Sequence, residues 1–549
     1  MKSRFRSLVT VILLVVLLLS ATATAAPEVS MKDPNVNPPG TFPVVKEPIT
    51  LHVGLIQSPH VENYETNALT KEMEETLNIK FEFEVFPTAS EARQKLDVMI
   101  NSGTKLPDVL IGFTLDDMTV LNYGSQGIFL PLNGYIDTLG VDVQDAFTRA
   151  KAPLRDLITM ADGNIYYLPK HTEQLGNEHS QRQWINKVWL DKLGLTMPAT
   201  TDEFAQVLRA FRDKDPNGNG KKDEVPFTGG GQLWQGSSLD AIMNAFIYND
   251  TNTPNTTRPR WIVQDGKLDV PYNKGEWREG LRYINMLISE GLLSPLSITQ
   301  DLSQLQTLLE SGDVSQVGVY TAGAFVFSAT NERKLEYAPL PPLTGPNGVC
   351  WTAYYPSLPK SYFIITKDCA YPEAAFRWGD YMQNRDFGFR SRWGEPKVDW
   401  RVAGEGDVGL YEDLEFPPLV VPILPWGALQ NKHWANELPV VLEMGVQDGQ
   451  AVTLDDPLYT ELFIAAAVPH YVGKTPKEYV DKIKYTVEET ERVRDIQQTL
   501  VTYVNESMAR FATGDLDLDT QWDSYIAELE NIGLSDFIEI SQAAYDRDH

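Results

Sequence analysis

Short runs of alternating apolar and polar residues mark the first hundred positions, whereas apolar residues recur every three or four positions towards the end of the chain. Residues 49–55 and 79–85 carry the two-residue period of a strand, and 106–111 is a short apolar run of the kind a buried strand makes. Residues 66–77 and 90–101 have helical spacing, the second stopped by Gly103. This β-α-β-α-β order predicts a parallel sheet covered by helices. Ligands of such sheets bind beyond the carboxyl ends of the strands, so the segment after Ile111 gains a functional expectation. Farther along, 162–169 reads as a turn and a strand, 202–213 and 277–287 as helices, and 317–320 as a buried strand returning to the first part of the fold. Val493, Ile496, Leu500, Val504, Met508 and Phe511 step by three or four until Gly514.

The helix at 202–213 delivers the chain into a twelve-residue loop, 215–226. Side-chain oxygens stand at its first, third, fifth and ninth positions, Asp215, Asn217, Asn219 and Asp223; Gly220 is sixth and the Lys221 carbonyl is available at the seventh. That is the spacing by which an EF-hand-type loop wraps a hard cation. The loop departs from an EF-hand at its end, where Pro226 is twelfth and the nearest bidentate carboxylate is Glu224, at the tenth. A solvated double turn is the competing reading. Two neutral Asn and a proline frame suit a structural ion, not a catalytic one. The glycines at 229–231 lack the Lys-Ser/Thr ending of a phosphate loop, so a close-packed turn is expected there.

Charge and termini narrow the class. A net charge of -28 argues against nucleic acid, which needs a basic surface. Lys2, Arg4 and Arg6, an apolar run over 8–19 and an alanine-rich string ending at 26 read as a signal peptide over 1–26, too short to span a bilayer. Residues 27–47, rich in Pro and Asn, read as a disordered or extended lead-in. An exported, monomeric protein is expected, periplasmic or, alternatively, extracellular or at the cell surface. Cys350 and Cys369, the only cysteines, leave one disulfide open.

Motifs for zinc hydrolysis, serine nucleophiles and nucleotide phosphates are missing, and no catalytic residues are assigned. Aromatic residues are more informative. Trp184, Trp189, Trp277, Trp378 and Trp522 lie on regular apolar patterns and read as core, whereas Trp234, Trp261, Trp351, Trp393, Trp400, Trp426 and Trp434 lie among Gly, Pro and polar residues. Flat rings flanked by amides and charges suit a sugar, whose C–H face stacks on a ring and whose hydroxyls need paired partners. The ligand-binding expectation is Trp234; Trp351 with Tyr354 and Tyr355; Arg392, Trp393 and Glu395; and Trp426 with Gln430, Asn431 and Trp434. Packing between lobes is the alternative for any one of them. Arg390, Arg392, Lys397 and Arg401 form a local basic patch that suits a uronate or sulfate, or a salt-bridged surface.

The run Trp184-Ile185-Asn186-Lys187, Trp189-Leu190-Asp191-Lys192-Leu193-Gly194-Leu195, Pro198 and Asp202-Glu203-Phe204 resembles the extracellular solute-binding proteins of bacterial ABC importers, and so does the closing string around Asp519, Trp522 and Gln542-Ala543-Ala544-Tyr545. The branch it resembles holds the alginate-binding periplasmic proteins and LipO-type lipoproteins. The resemblance implies an α/β, two-lobed periplasmic-binding-protein fold with a hinge, an interlobe ligand cleft and a helix-rich C-terminal part. Its lobes are expected at 48–165 plus 316–368 and at 166–315 plus 369–549. It implies Ca2+ held by Asp215, Asn217, Asn219, the Lys221 carbonyl, Asp223 and Glu224. It also implies an oligosaccharide ligand delivered to an ABC permease in the inner membrane. Near Arg392 the family's Gly-Asp-Trp pattern is met by Gly394, Asp399 and Trp400, with Glu395-Pro396-Lys397 departing from it. Other classes are a secreted glycan-cleaving enzyme, which needs two facing carboxylates, and a sensor or peptide-binding member of the same fold.

Overall fold

A computed structural model describes residues 33–250, 259–323, 326–328, 330–411, 414, 416–423, 429–452 and 460–548. The expected signal peptide, the first residues of the lead-in and Trp426 lie outside the described residues. No helix among them is long and apolar enough to cross a membrane.

The alternating runs form the strands they predict. β1 (Ile49–Ile56) pairs in parallel with β2 (Ile79–Phe86) on one side and β3 (Val109–Ile111) on the other. Leu51, Val53 and Leu55, two apart, point into the core. The connecting helices, Ala68–Leu77 and Ala89–Ser102, begin where Asn67 and Thr88 accept backbone N–H bonds from Leu69 and Glu91; the second ends at Gly103 in the left-handed region. β4 (Leu168–Thr172) joins the same sheet.

The chain then leaves for a second sheet. β5 (Gln183–Asn186) and β6 (Val225–Thr228) precede an isolated hairpin of β7 (Ile262–Gln264) and β8 (Lys267–Asp269); β9 (Val317–Thr321) and β10 (Tyr337–Leu340) complete the order β10-β5-β9-β6. β11 (Lys360–Ile365) returns to the first sheet, antiparallel to β3 and β4. Short ribbons follow: β12 (Trp400–Val402) with β14 (Val420–Pro422), and β13 (Val408–Gly409) with β16 (Ala451–Val452). β15 (Val441–Leu442) runs beside β4, so the first sheet reads β15-β4-β11-β3-β1-β2.

Each sheet has its own core. One gathers Leu51, Val53, Phe129, Phe363, Trp378 and Trp434; the other gathers Trp189, Phe204, Trp277, Leu281, Val504 and Phe537. The long helix Val487–Thr513 supplies the second with the face read from sequence, opens on a Thr486–Glu489 capping box and stops at Gly514.

The expected lobe boundaries need correction. β9 pairs with β5 and β6, so 317–321 belongs to the second lobe, not the first. The helix Pro372–Met382, Trp393 and Trp434 pack into the first core, so most of 369–452 belongs to the first lobe. A buried strand pattern does not say which sheet will pair with it. The lead-in is also more ordered than expected: from Asp33 onward it lies on the first core, with Val36, Val44 and Val45 buried and Arg377 donating to the carbonyls of Asn37 and Thr41.

Candidate functional site

The crossings fix where a ligand can sit. β11 starts beside the carboxyl end of β3, and β5 starts beside the carboxyl end of β9. The chain crosses at 173–182 and 341–359, and the helix Thr460–Tyr471 packs against β10 of the second sheet. The carboxyl ends of the parallel strands, β1 and β3 in the first sheet and β6 and β9 in the second, therefore face the crossing region, the position parallel strands use for ligands.

The crossings are stitched to one another. Asp448 accepts the Leu175 N–H, the Glu178 carbonyl accepts the Tyr355 N–H, and the Glu178 carboxylate accepts the Ser357 hydroxyl. Burial, and then the nearby Glu178 charge, push the Asp448 carboxyl up to about 7. Burial also works against charge on Glu173, but His171 and the N–H groups of Ala152, Met444 and Lys151 outweigh it and hold the carboxylate down at about 2. Arg182, buried between the first crossing and β9, donates to the carbonyls of Gly176 and Gly323.

On the first-lobe edge, Ser58, Tyr64, Gly112, Tyr362, Trp434 and Glu437 line a cavity of about 110 Å³ at the ends of β1 and β3. On the second-lobe edge, the glycine run folds as the close-packed turn expected of it: a Cβ on Gly231 would meet the Ile298 carbonyl oxygen at 1.8 Å. That turn presents Trp234, 50% exposed, with its indole laid against Gly323, where a Cβ would come within 2.6 Å of the ring.

The other ligand-binding candidates divide. Trp351, 36% exposed, stands in the second crossing beside Gln181, Gln183 and Asn244. Tyr354 packs its ring on His179 and Tyr479, and Tyr355 is half-buried with its N–H on Glu178. Trp434 is not a platform: it is 0% exposed, donates to Thr70 and meets Tyr64 and Phe83 edge-on. Trp393 is buried against Phe389, and Arg392 lies over its ring. Gln430 is a loop clip, its amide donating to the His60 and His433 carbonyls and accepting from two N–H groups. Asn431 ties the start of the first helix through Asn63 and Thr66. Glu395 is exposed and paired with Arg390.

Much of the basic patch is spent within the protein. Arg390 forks onto Glu72, and Arg401 onto Asp407 at 2.5 and 2.7 Å. The Gly-Asp-Trp pattern is a knot: the Glu395 N–H donates to Asp399, the Trp400 indole donates to the Gly394 carbonyl, and Gly394 has φ +88° with no room for a Cβ beside Asp399. Lys170, Tyr362 and Glu437 were missed by sequence reasoning. Tyr362 sits inside an apolar strand and Lys170 in the middle of β4, and their only signal was their place near the sheet's carboxyl edge.

The loop after the helix Thr201–Asp213 is tied by hydrogen bonds among its own side chains and backbone. The N–H groups of Gly218, Asn219 and Gly220 donate to the Asp215 carboxylate, and the Asn217 and Asn219 amides lie on Asp223. Glu224 Oε1 is buried with no partner, and burial followed by the charges of Asp215 and Asp223 push its carboxyl up. A divalent cation would relieve that repulsion, so the residues fit one. Among the described residues no three His, Cys, Asp or Glu side chains form a metal cluster, those of the loop included; half of the loop's six candidate donors are amide or carbonyl oxygens. Cys350 and Cys369 are free thiols.

Residues 58–386 match the family described as bacterial extracellular solute-binding protein. The chain belongs to that family. The fructooligosaccharide ABC transporter substrate-binding protein FusA of Streptococcus pneumoniae serotype 4 is 27% identical over 83% of each chain. The solved structure of S. pneumoniae FusA with kestose superposes with a TM-score of 0.72 at 25% identity, covering 91% of this chain and 99% of that one. The alginate-binding protein AlgQ2, solved without calcium ion, gives 0.65 at 22% identity, over 92% and 100%, a likeness of fold. The two-lobed α/β architecture is that of a solute-binding protein, and these relatives are binding proteins rather than enzymes.

Proposed function

We propose that this protein is the substrate-binding subunit of an ABC importer and captures an oligosaccharide between its lobes for delivery to a membrane permease. The observation that carries this reading is the placement of the parallel strands' carboxyl ends in both sheets at the crossings 173–182 and 341–359, in a chain similar to FusA over most of its length. Trp234 supplies the second lobe's stacking face and Trp351 a ring at the hinge, while the amides beside Trp351 meet hydroxyls. The protein acts after export, and its residues bind without breaking bonds.

The loop holds Ca2+ through Asp215, Asn217, Asn219, Asp223, Glu224 and the Lys221 carbonyl. A solved FusA variant is described as an EF-hand mutant, which supports the reading. The ion neutralises the loop's carboxylates and stiffens the second lobe. A thermal-shift screen of the calcium-loaded protein against neutral, uronate and sulfated oligosaccharides and a peptide set tests the proposal. Stabilisation by a glycan without turnover is expected; a response to peptides alone would overturn the ligand class, and hydrolysis of a bound glycan would overturn the binding role.

A further inference from the structure

One carboxylate in the first-lobe cavity is only half used. The Tyr362 hydroxyl donates to Glu437 Oε2, and Lys170 Nζ lies 3.2 Å from the same oxygen and 4.8 Å above the Tyr362 ring. Among the described residues, no hydrogen bond is made to Oε1, and the side chain is 36% exposed at the cavity. The backbone brings it there at a cost: Ala435 and Asn436, immediately before it, have φ of 50° and 63°, left-handed values that are uncommon outside glycine. The turn is pinned from both sides, with the Asn436 N–H on the Ser391 carbonyl and the Glu437 N–H on the Trp434 carbonyl. Opposite, Gly112 has φ +79°, and a Cβ there would stand 3.5 Å from the Tyr362 hydroxyl.

We infer that this cavity is a subsite for an uncharged sugar ring, with Glu437 Oε1 accepting hydrogen bonds from ring hydroxyls. A carboxylate whose other oxygen is fixed by a phenol and an ammonium keeps its orientation, and bonds to a charged acceptor are the stronger kind. Tyr64 and Trp434 stand behind the cavity wall, almost wholly buried. A uronate or sulfate placed here would face Glu437 directly, while Lys170, the one cation among the described residues in contact with the cavity's carboxylate, is already paired with it. Lys360, beside Lys170 on β11, and Arg392 do not line the cavity. The inference rests on the oligosaccharide reading above and narrows it to neutral glycans.

Titration calorimetry of the calcium-loaded full chain with kestose, maltotriose and trigalacturonate tests it, using wild type, Glu437→Gln and the double variant Lys170→Met/Glu437→Gln. The double variant removes both charges, so no ammonium is left buried alone if the single variant folds poorly. Wild type is expected to bind a neutral probe and reject trigalacturonate, and each variant to bind the neutral probe about tenfold more weakly or worse. Unchanged neutral affinity in either folded variant, or wild-type preference for trigalacturonate, overturns the subsite while leaving the oligosaccharide reading intact. A wild type that binds none of the three but binds a peptide overturns that reading itself.

Discussion

The tract from Phe389 to Trp434 and the turn from Gly229 to Gly236 read alike in sequence: tryptophans among Gly, Pro and polar residues. They end differently. The first lobe draws Trp393 and Trp434 into its core, whereas the second lobe's turn holds Trp234 half in solvent on the bare backbone of Gly323. Loop-like composition marks where the chain is irregular, but exposure depends on what the fold stacks above it. Trp434 meets a hydroxyl acceptor in Thr70 and two rings in Tyr64 and Phe83, so its polar N–H is satisfied in the core. Trp234 has one face covered and one free.

The contrast is broken most directly by Trp434→Ala. Emptying a buried indole's place costs about 3–5 kcal/mol, so a large fall in denaturation midpoint is expected; little change would return Trp434 to the ligand surface. Next in size is the loop. Calcium at a hundred times its dissociation constant adds about 2.7 kcal/mol; the melting temperature should respond to calcium in wild type and not in Asp215→Ala/Asp223→Ala, with glycan affinity nearly kept. Lost affinity at unchanged melting temperature would contradict a structural ion. Trp234→Ala should leave melting almost untouched and weaken glycan binding by about 1–3 kcal/mol, measured by calorimetry, and equal affinity would make the ring a surface ornament of the turn.

The smallest effect concerns the hinge that both regions share. Asp448 titrates near 7 when folded against an ordinary 3.8, so the folded chain holds that proton more tightly than the unfolded one. Its contribution is fully present below about pH 4 and is lost as the pH rises through 7. Asp448→Asn should therefore flatten the melting-temperature profile over that window, and an unaltered profile would remove the carboxyl from the account.

Legibility followed the range of the interactions. The strands at 49–55 and 79–85 and the helix through Phe511 were readable because their periods are local. The loop was readable because its oxygens lie within ten residues of one another. Lys170, Tyr362 and Glu437 were not, since they meet across separations of 192 and 267 residues. The same holds for β9, whose partners β5 and β6 lie far back in the chain.

By itself the sequence determined the parallel βα start, the oxygen spacing of the loop 215–226, the family signatures and the five tryptophans on regular patterns, all features set by spacing along the backbone. Only the tertiary structure decided which lobe owns 317–321 and 369–452, which loop rings are buried, how the basic patch is neutralised and which carboxylate keeps a free oxygen. Those outcomes depend on contacts between residues hundreds of positions apart, and burial and charge pairing exist only once such contacts have formed.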